Sequence, residues 1–344
     1  MDKTLMASNT TISAEEPITQ TADNRDSRAG HFERLLPMLR CLRCKGELGV
    51  NESGVQCRNC GTIFPITNGV LRFVESQGYA ENFGFEWGKY ARTQLDSQIS
   101  NLSERQFTES TGFSPAEIKG KWILDIGCGM GRFAEVASRW GANVVGIDLS
   151  LATDVAAGNL SSRDNVWICQ ASVLNLPFRE QSFDYIYSIG VLHHTPDCEQ
   201  SFKLLPKLLK PGGSIAIWLY SAYVRWYRMS DIYRKFTTRL SPKSLHALCV
   251  ATDPLYYVHR GLRWIPAIGS FFSGMLAYAL PMNDNPKREW RLLDTFDWYS
   301  PVYQSKHTYE EVFRWFEDCG LEDLHVLYRP IAVRGTKPLQ SRAT

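Results

Sequence analysis

From residue 121 onward, short apolar runs alternate with stretches patterned for helices. The spans 122–125, 143–148, 166–170, 185–189 and 214–220 are rich in Ile, Val, Leu and aromatic residues, the pattern of buried strands. Between the first two lies a helical pattern over 132–140, closed by Gly141, a residue type suited to the left-handed position beyond a helix end. Such alternation predicts a mostly parallel sheet with helices on both faces and a ligand beyond the carboxyl ends of the strands. A further helix begins at Thr308, which forms a T-x-x-E capping box with Glu311. Val312, Phe313, Phe316 and Cys319 supply its apolar face, and Gly320 closes it. Two strand-like runs, 321–328 and 331–334, complete the sheet.

Elsewhere the pattern changes. Residues 1–30 are polar and rich in Thr, Ser, Asn and Asp, the composition of a disordered tail. Residues 79–90 are dense in aromatics. They either pack onto the core or cover a ligand, with Trp87, Tyr90 and Gln94 as contact candidates. Residues 221–305 form an insertion where one helix would suffice. Its first part is basic, with eight Lys or Arg against two Asp over 221–264. That face suits anionic substrate, RNA or lipid, or is simply a solvated helix face. Residues 264–281 follow without a charge. Pro266 limits their helical part to 267–280, about 21 Å at ~1.5 Å per residue. A bilayer core is ~30 Å thick, so the reading is a helical lid over an apolar pocket, with no transmembrane span and with peripheral membrane contact as the alternative.

Composition narrows the class. Of 344 residues 44% are apolar, enough for a sizeable core. Lys plus Arg is 38 and Asp plus Glu 36, which gives no global bias toward nucleic acid. The N-terminus lacks a basic-then-apolar leader, so a cytoplasmic location with reduced thiols is expected. Four of the nine cysteines, Cys41, Cys44, Cys57 and Cys60, form two C-x-x-C knuckles with twelve residues between them. This spacing suits four thiolates around a structural Zn²⁺, which leaves no open position for water. The turns Lys45–Gly46 and Gly61–Thr62 follow the knuckles and can aim N–H groups at sulfur. A module of some thirty residues cannot fold on an apolar core alone, so metal would supply much of its folding energy.

The chemistry centres on Ile123-Leu-Asp-Ile-Gly-Cys-Gly-Met-Gly-Arg-Phe133. Asp125 precedes Gly127, Gly129 and Gly131 in a strand-to-helix turn that lets backbone approach a ligand closely. A fixed carboxylate there would repel the pyrophosphate of a dinucleotide. It suits a cofactor with cationic groups and no phosphate, such as S-adenosylmethionine. Asp148 ends the next strand, 17 residues after Gly131, about where a carboxylate takes ribose hydroxyls. Cys128 within the loop, Leu149, Val173 and Ser188 complete the expected cofactor-contact set.

These residues resemble motif I of the class I S-adenosylmethionine-dependent methyltransferases. The resemblance continues through 170–178, 183–194 and 208–218, covers roughly 121–220 and returns after 305. It lies closest to the branch that includes ubiquinone and menaquinone biosynthesis methyltransferases. It implies a Rossmann-like, seven-stranded, mostly parallel sheet. Where relatives often carry an acid facing the adenine amino group, this chain has Ser172. The segment 41–71 resembles the zinc ribbons of small methyltransferase-activator proteins, with Leu42 where proline is common. The expected organisation is a tail (1–30), zinc ribbon (31–75), cofactor cover (76–120), methyltransferase core (121–220), helical lid (221–305) and core completion (306–344).

His193 and His194 follow the fourth strand, where relatives place acceptor-side residues, and one imidazole can take an acceptor proton. Tyr299, Tyr303 and His307 lie in a mixed segment, 294–308, read as a loop that lines the acceptor pocket or as a network that docks the lid. The reading is methyl transfer to O, N or activated C of a small apolar or aromatic metabolite. The alternatives are an RNA base methyltransferase, since an N-terminal zinc module also precedes this domain in ribosomal RNA guanine methyltransferases, and a silent scaffold.

Overall fold

The structure, a computed structural model, describes residues 30–74, 81–89, 95–96, 101–223, 228–266, 268–280 and 283–339. Most of the expected tail, together with Tyr90 and Gln94, lies outside these residues, as does the side chain of Trp87.

Eleven strands join in one sheet: β1 Leu48–Asn51, β2 Gly54–Cys57, β3 Ile63–Thr67, β4 Val70–Arg72, β5 Trp122–Ile126, β6 Asn143–Asp148, β7 Val166–Gln170, β8 Phe183–Ile189, β9 Leu209–Trp218, β10 Glu322–Val326 and β11 Ala332–Thr336. Their order is β1-β2-β3-β4-β7-β6-β5-β8-β9-β11-β10. The expected seven strands run from β7 to β10 in this order, with β7, β6, β5, β8 and β9 parallel and β11 antiparallel to both of its neighbours. The expectation of seven is corrected to eleven. The ribbon's last strand, β4, lies parallel to β7, with Val70 opposite Ile168 and Arg72 opposite Gln170. Edge strand β7 has unpaired backbone on its outer side, and the ribbon satisfies it.

Side-chain alternation splits the core in two. Leu124, Val145, Ile147, Trp167 and Ile217 point to one face, where they meet Phe202, Phe316 and the ribbon's Val55 and Phe64. Ile123, Val144, Ile168 and Ala216 point to the other, against Phe107, Ala134 and Ala156. Helices therefore cover both faces. The capping box at Thr308 and Glu311 forms and opens the helix Tyr309–Asp318.

The insertion consists of the helices Arg228–Thr237, Pro242–Thr252, Leu255–Leu262, Gly269–Ala279 and Arg288–Tyr299. It has its own small core of Leu245, Cys249, Leu292, Leu293 and Phe296. Asp253 anchors this unit by accepting from Arg291 Nε at 2.7 Å and Arg288 Nε at 2.9 Å. Among the described residues no helix is long and apolar enough to cross a membrane.

Candidate functional site

The carboxyl ends of β5, β6 and β8 open into a cleft of about 390 Å³. The glycine loop forms its floor. Gly127 adopts φ +77°, and a Cβ there would lie 2.3 Å from the Val191 side chain, so both conformation and space require glycine. The amides of Gly127 and Cys128 donate to the Ile147 carbonyl at 2.8 and 2.9 Å, which ties the loop to β6. Gly131 precedes the helix Arg132–Arg139.

Asp148 is held by three donors: Gly129 N to Oδ2 at 3.0 Å, and Ser150 N and Oγ to Oδ1 at 2.8 and 2.7 Å. A carboxylate has about four acceptor sites, so capacity is left for a ligand. Gly127, Cys128, Gly129, Asp148, Leu149 and Val173 line the cleft. Asp125, Gly131, Ser172 and Ser188 are not among the residues that line it. Ser188 Oγ donates to the Ile126 carbonyl at 3.1 Å, and Ser172 Oγ accepts from Leu174 N at 3.3 Å within its own turn. Burial pushes the Cys128 thiol far up, so it acts as a small apolar residue.

Asp125 is 2% exposed, and its Oδ2 has no hydrogen-bond partner. Burial raises its carboxyl to about 8; the nearby Tyr187 phenol, outside hydrogen-bond geometry, opposes the rise, and Asp148 adds to it.

Part of the cleft lining is acidic and aromatic. The helix Arg288–Tyr299 presents Trp290, Leu293, Asp294, Asp297 and Trp298 to it, a face with helical i, i+3, i+4, i+7, i+8 spacing. The mixed segment is therefore helical to Tyr299, a correction to its reading as a loop. The helix Glu81–Lys89 adds Phe83 and Glu86. Glu86 is 1% exposed with Oε2 unpartnered, and burial, Asp297 and Asp294 together raise it well above its usual value. Burial and Asp297 push Asp294 up to about 7, with Arg132 opposing. Arg132, also in the cleft wall, is itself lowered to about 10 by burial.

Of the five expected acceptor-side residues, only His194 lines the cleft. Its Nδ1 meets the Tyr303 carbonyl at 2.9 Å. A carbonyl only accepts, so the proton sits on Nδ1 and Nε2 is the basic nitrogen. Burial lowers the His194 pKa, partly offset by Asp297. His193 is fully buried, with both ring nitrogens unpartnered, and stacks on Tyr220 at 3.9 Å. Tyr220 in turn lines the cleft and donates to Asp297 Oδ2 at 3.1 Å. His307 pairs with Ser305 Oγ at 2.7 Å and packs edge-on against Trp315, outside the cleft. Tyr299 and Tyr303 contribute backbone carbonyls, to Thr237 Oγ1 and to His194. Sequence reasoning missed Glu86, Tyr220, Asp294 and Asp297 as site residues. Residues 264–280 do not line the cleft; the helix Arg288–Tyr299 covers it in place of the expected lid segment.

The four ribbon thiols lie within 4.8 Å of one another. Cys41 and Cys60 Sγ are 3.7 Å apart and Cys44 and Cys57 Sγ 3.4 Å. Tetrahedral Zn²⁺ with ~2.3 Å bonds needs sulfurs about 3.8 Å apart, so the set fits zinc. Both knuckles make the same turn, Lys45 N to Cys41 O at 2.9 Å and Gly61 N to Cys57 O at 3.0 Å. The Thr62 hydroxyl and amide lower Cys60 to about 6, which favours the thiolate a metal needs.

The glycine loop and Asp148 at the carboxyl ends of a parallel sheet, joined to a four-thiol ribbon, define the class: a methyltransferase-type α/β domain behind a zinc-ribbon module. Residues 124–217 match the methyltransferase domain family, and residues 33–69 match the Trm112p-like protein family. The chain thus carries both modules. It is 31% identical over 132 residues to a ubiquinone biosynthesis O-methyltransferase of Coxiella burnetii, a match covering 38% of this chain and 56% of that one. With the Acinetobacter baumannii ubiquinone biosynthesis O-methyltransferase it shares 29% over 171 residues, 46% of this chain and 68% of the relative. Among solved structures, a Haemonchus contortus phosphoethanolamine N-methyltransferase 2 complex with S-adenosylhomocysteine aligns with TM-score 0.43 and 18% identity, over 73% of this chain and 46% of that one. The chain spans little more than half the length of the Coxiella relative.

The buried acids give the cofactor-free chain a pH signature. Carboxyls titrate near ~4 when unfolded. With Asp125 at about 8, the folded chain holds the extra proton up to that pH. Stability supplied by that proton falls as pH rises through the window. We expect Asp125→Asn to gain melting temperature relative to the unsubstituted chain between pH 7 and 8.5, by roughly 2–5 °C in a calorimetric scan. The four histidines lowered by burial, His193, His194, His246 and His307, act at lower pH and cancel in this difference. A constant difference across that range would contradict the raised carboxyl.

Proposed function

We propose that this chain is an S-adenosylmethionine-dependent methyltransferase whose acceptor is a small apolar or aromatic molecule bearing a hydroxyl. One observation carries the reading. A single cleft is lined by the glycine loop, Asp148 and His194, whose Nδ1 is taken by the Tyr303 carbonyl and whose Nε2 is the basic nitrogen.

The residues present fit the cofactor. Asp148, Ala171 and Val173 line the cleft; Asp148 would hold the ribose, and Ala171 and Val173 would pack on the adenine. Burial and the neighbouring Asp297 and Asp294 raise Glu86, and the methionine ammonium would relieve this crowding of acids. When bound, S-adenosylmethionine supplies an electrophilic methyl group on its sulfonium. The chain's task is to hold acceptor and methyl in line, and water out. Trp290, Trp298, Tyr220 and Phe83 form an aromatic wall suited to a flat or apolar acceptor. His194 Nε2 takes the acceptor's proton, and the Asp297 carboxylate offsets the imidazolium charge. His193 positions Tyr220 by stacking rather than touching the acceptor.

The test is incubation with methyl-labelled S-adenosylmethionine and either total RNA or a protein-free metabolite extract. The reading predicts label in the organic-soluble part of the metabolite extract. Label confined to RNA, or cofactor binding without any transfer, would overturn it in favour of the RNA methyltransferase or the silent scaffold respectively.

A further inference from the structure

We propose that the hairpin of helices Leu255–Leu262 and Gly269–Ala279 docks this chain onto the surface of an anionic lipid bilayer. Residues 264–280 contain no charged side chain. The helix Gly269–Ala279 turns its small residues, Gly269, Ser273 and Ala277, inward at a spacing of four. A Cβ on Gly269 would come 2.0 Å from the Leu262 carbonyl, so the close helix pair requires glycine there. The large apolar residues face outward: Ile268, Phe271, Phe272, Met275 and Tyr278 are exposed, Phe271 by 65%, and Trp264 at the turn by 86%. This inverts the arrangement of a water-facing helix, which puts large apolar groups inward. A contiguous apolar surface of this kind marks a contact with another phase or partner.

Charge selects the bilayer. Exposed Arg260 and Arg263 lie on the hairpin, Arg263 pairing with Asp284 at 3.4 Å, and exposed Lys287 follows its second helix. The adjoining segment 221–264 is basic, with eight Lys or Arg against two Asp. A second copy of the same face would bring two basic segments together, whereas anionic headgroups meet them favourably. The helix has 11 residues and spans about 16 Å, so it lies in the interface plane rather than crossing it. Trp264 at the tip is of the type that anchors such helices at headgroup level. The hairpin lies next to the elements of the cleft: Tyr233 Oη, on the helix Arg228–Thr237, donates to the Ala279 carbonyl at 2.7 Å, and Asn283, four residues beyond Ala279, lines the cleft and donates from Nδ2 to Asp294 Oδ2 at 2.7 Å. Docking therefore holds the cleft close to the lipid surface. The docking itself does not depend on the proposed methyl transfer.

The test is flotation of the full chain with vesicles of phosphatidylcholine alone or of phosphatidylglycerol and phosphatidylcholine in a one-to-two mixture. The chain should float with the anionic vesicles. Phe271→Ser/Phe272→Ser should weaken binding more than about tenfold, and Trp264→Ser should weaken it less. Arg260→Gln/Arg263→Gln should remove the preference for anionic lipid. Cofactor affinity, read in parallel, should be unchanged in all three, which controls for folding. The proposal is overturned if the unsubstituted chain stays with the soluble fraction, or if the aromatic variants float equally well. It is also overturned if light scattering shows a dimer that these variants convert to monomer, since the face would then belong to a second copy.

Discussion

Asp148→Ala should lower the affinity for S-adenosylmethionine by roughly 10- to 10²-fold, because the charge-assisted hydrogen bond left for a ribose hydroxyl, at ~1.5–3 kcal/mol, is lost. Asp148 also accepts from Gly129 N and from Ser150 N and Oγ, so its removal leaves loop donors without a partner. Asp148→Asn separates the two roles. It keeps one oxygen for Ser150 N and Oγ, leaves only Gly129 N without an acceptor and removes the charge, so it should lose less melting temperature than Asp148→Ala while binding weakly. Calorimetric titration reads the affinity, and a thermal scan reads the loop. Undiminished affinity in Asp148→Ala would remove the ribose assignment.

The second large effect lies in the ribbon, at one edge of the sheet. Cys57→Ser should abolish stoichiometric zinc and lower the melting temperature of the whole chain by roughly 10 °C. The ribbon is not a detachable appendage: Cys41, Val55 and Phe64 belong to the same core cluster as Leu124 and Val145. β4 is hydrogen-bonded to β7, and Arg72 reaches across to Asp154 at 2.6 Å and to Gln170 Oε1 at 2.8 Å. Losing the metal therefore frees an edge of the central sheet and exposes part of its core. Metal analysis and a thermal scan of the same sample check this. A metal-free chain of full stability would contradict it.

Much of this architecture was legible in the sequence because it rests on local rules. The acid at the end of β6, the glycines of the loop and the Thr308–Glu311 box are short-range signals, and each sits where its spacing places it. The ribbon's union with the sheet was not legible. Pairing Val70 with Ile168 spans nearly a hundred residues, and no local pattern encodes it. The acceptor side is less legible for a different reason. Around 294–308 acids, phenols and a histidine are mixed, and folding turns Asp294 and Asp297 to the cleft while Tyr299 and Tyr303 bond through their carbonyls and His307 packs on Trp315. The signal that was available is the helical repeat Trp290, Leu293, Asp294, Asp297, Trp298, whose face is the cleft wall. Glu86 was hidden among aromatics and emerges only because folding brings it beside Asp294 and Asp297. The uncharged run at 264–281 illustrates a limit of hydropathy: it signals an apolar contact but not whether that contact is a pocket or an outer surface.

The central claim is that one cleft holds the cofactor between Asp148 and the Glu86–Asp294 acids. The most direct measurement is a crystal structure of the full chain with S-adenosylhomocysteine. The ribose should lie against the Asp148 carboxylate with a hydroxyl at hydrogen-bond distance, the ammonium toward Glu86 and Asp294, and the sulfur toward His194. A cofactor bound elsewhere, or with its ribose turned away from Asp148, would contradict it.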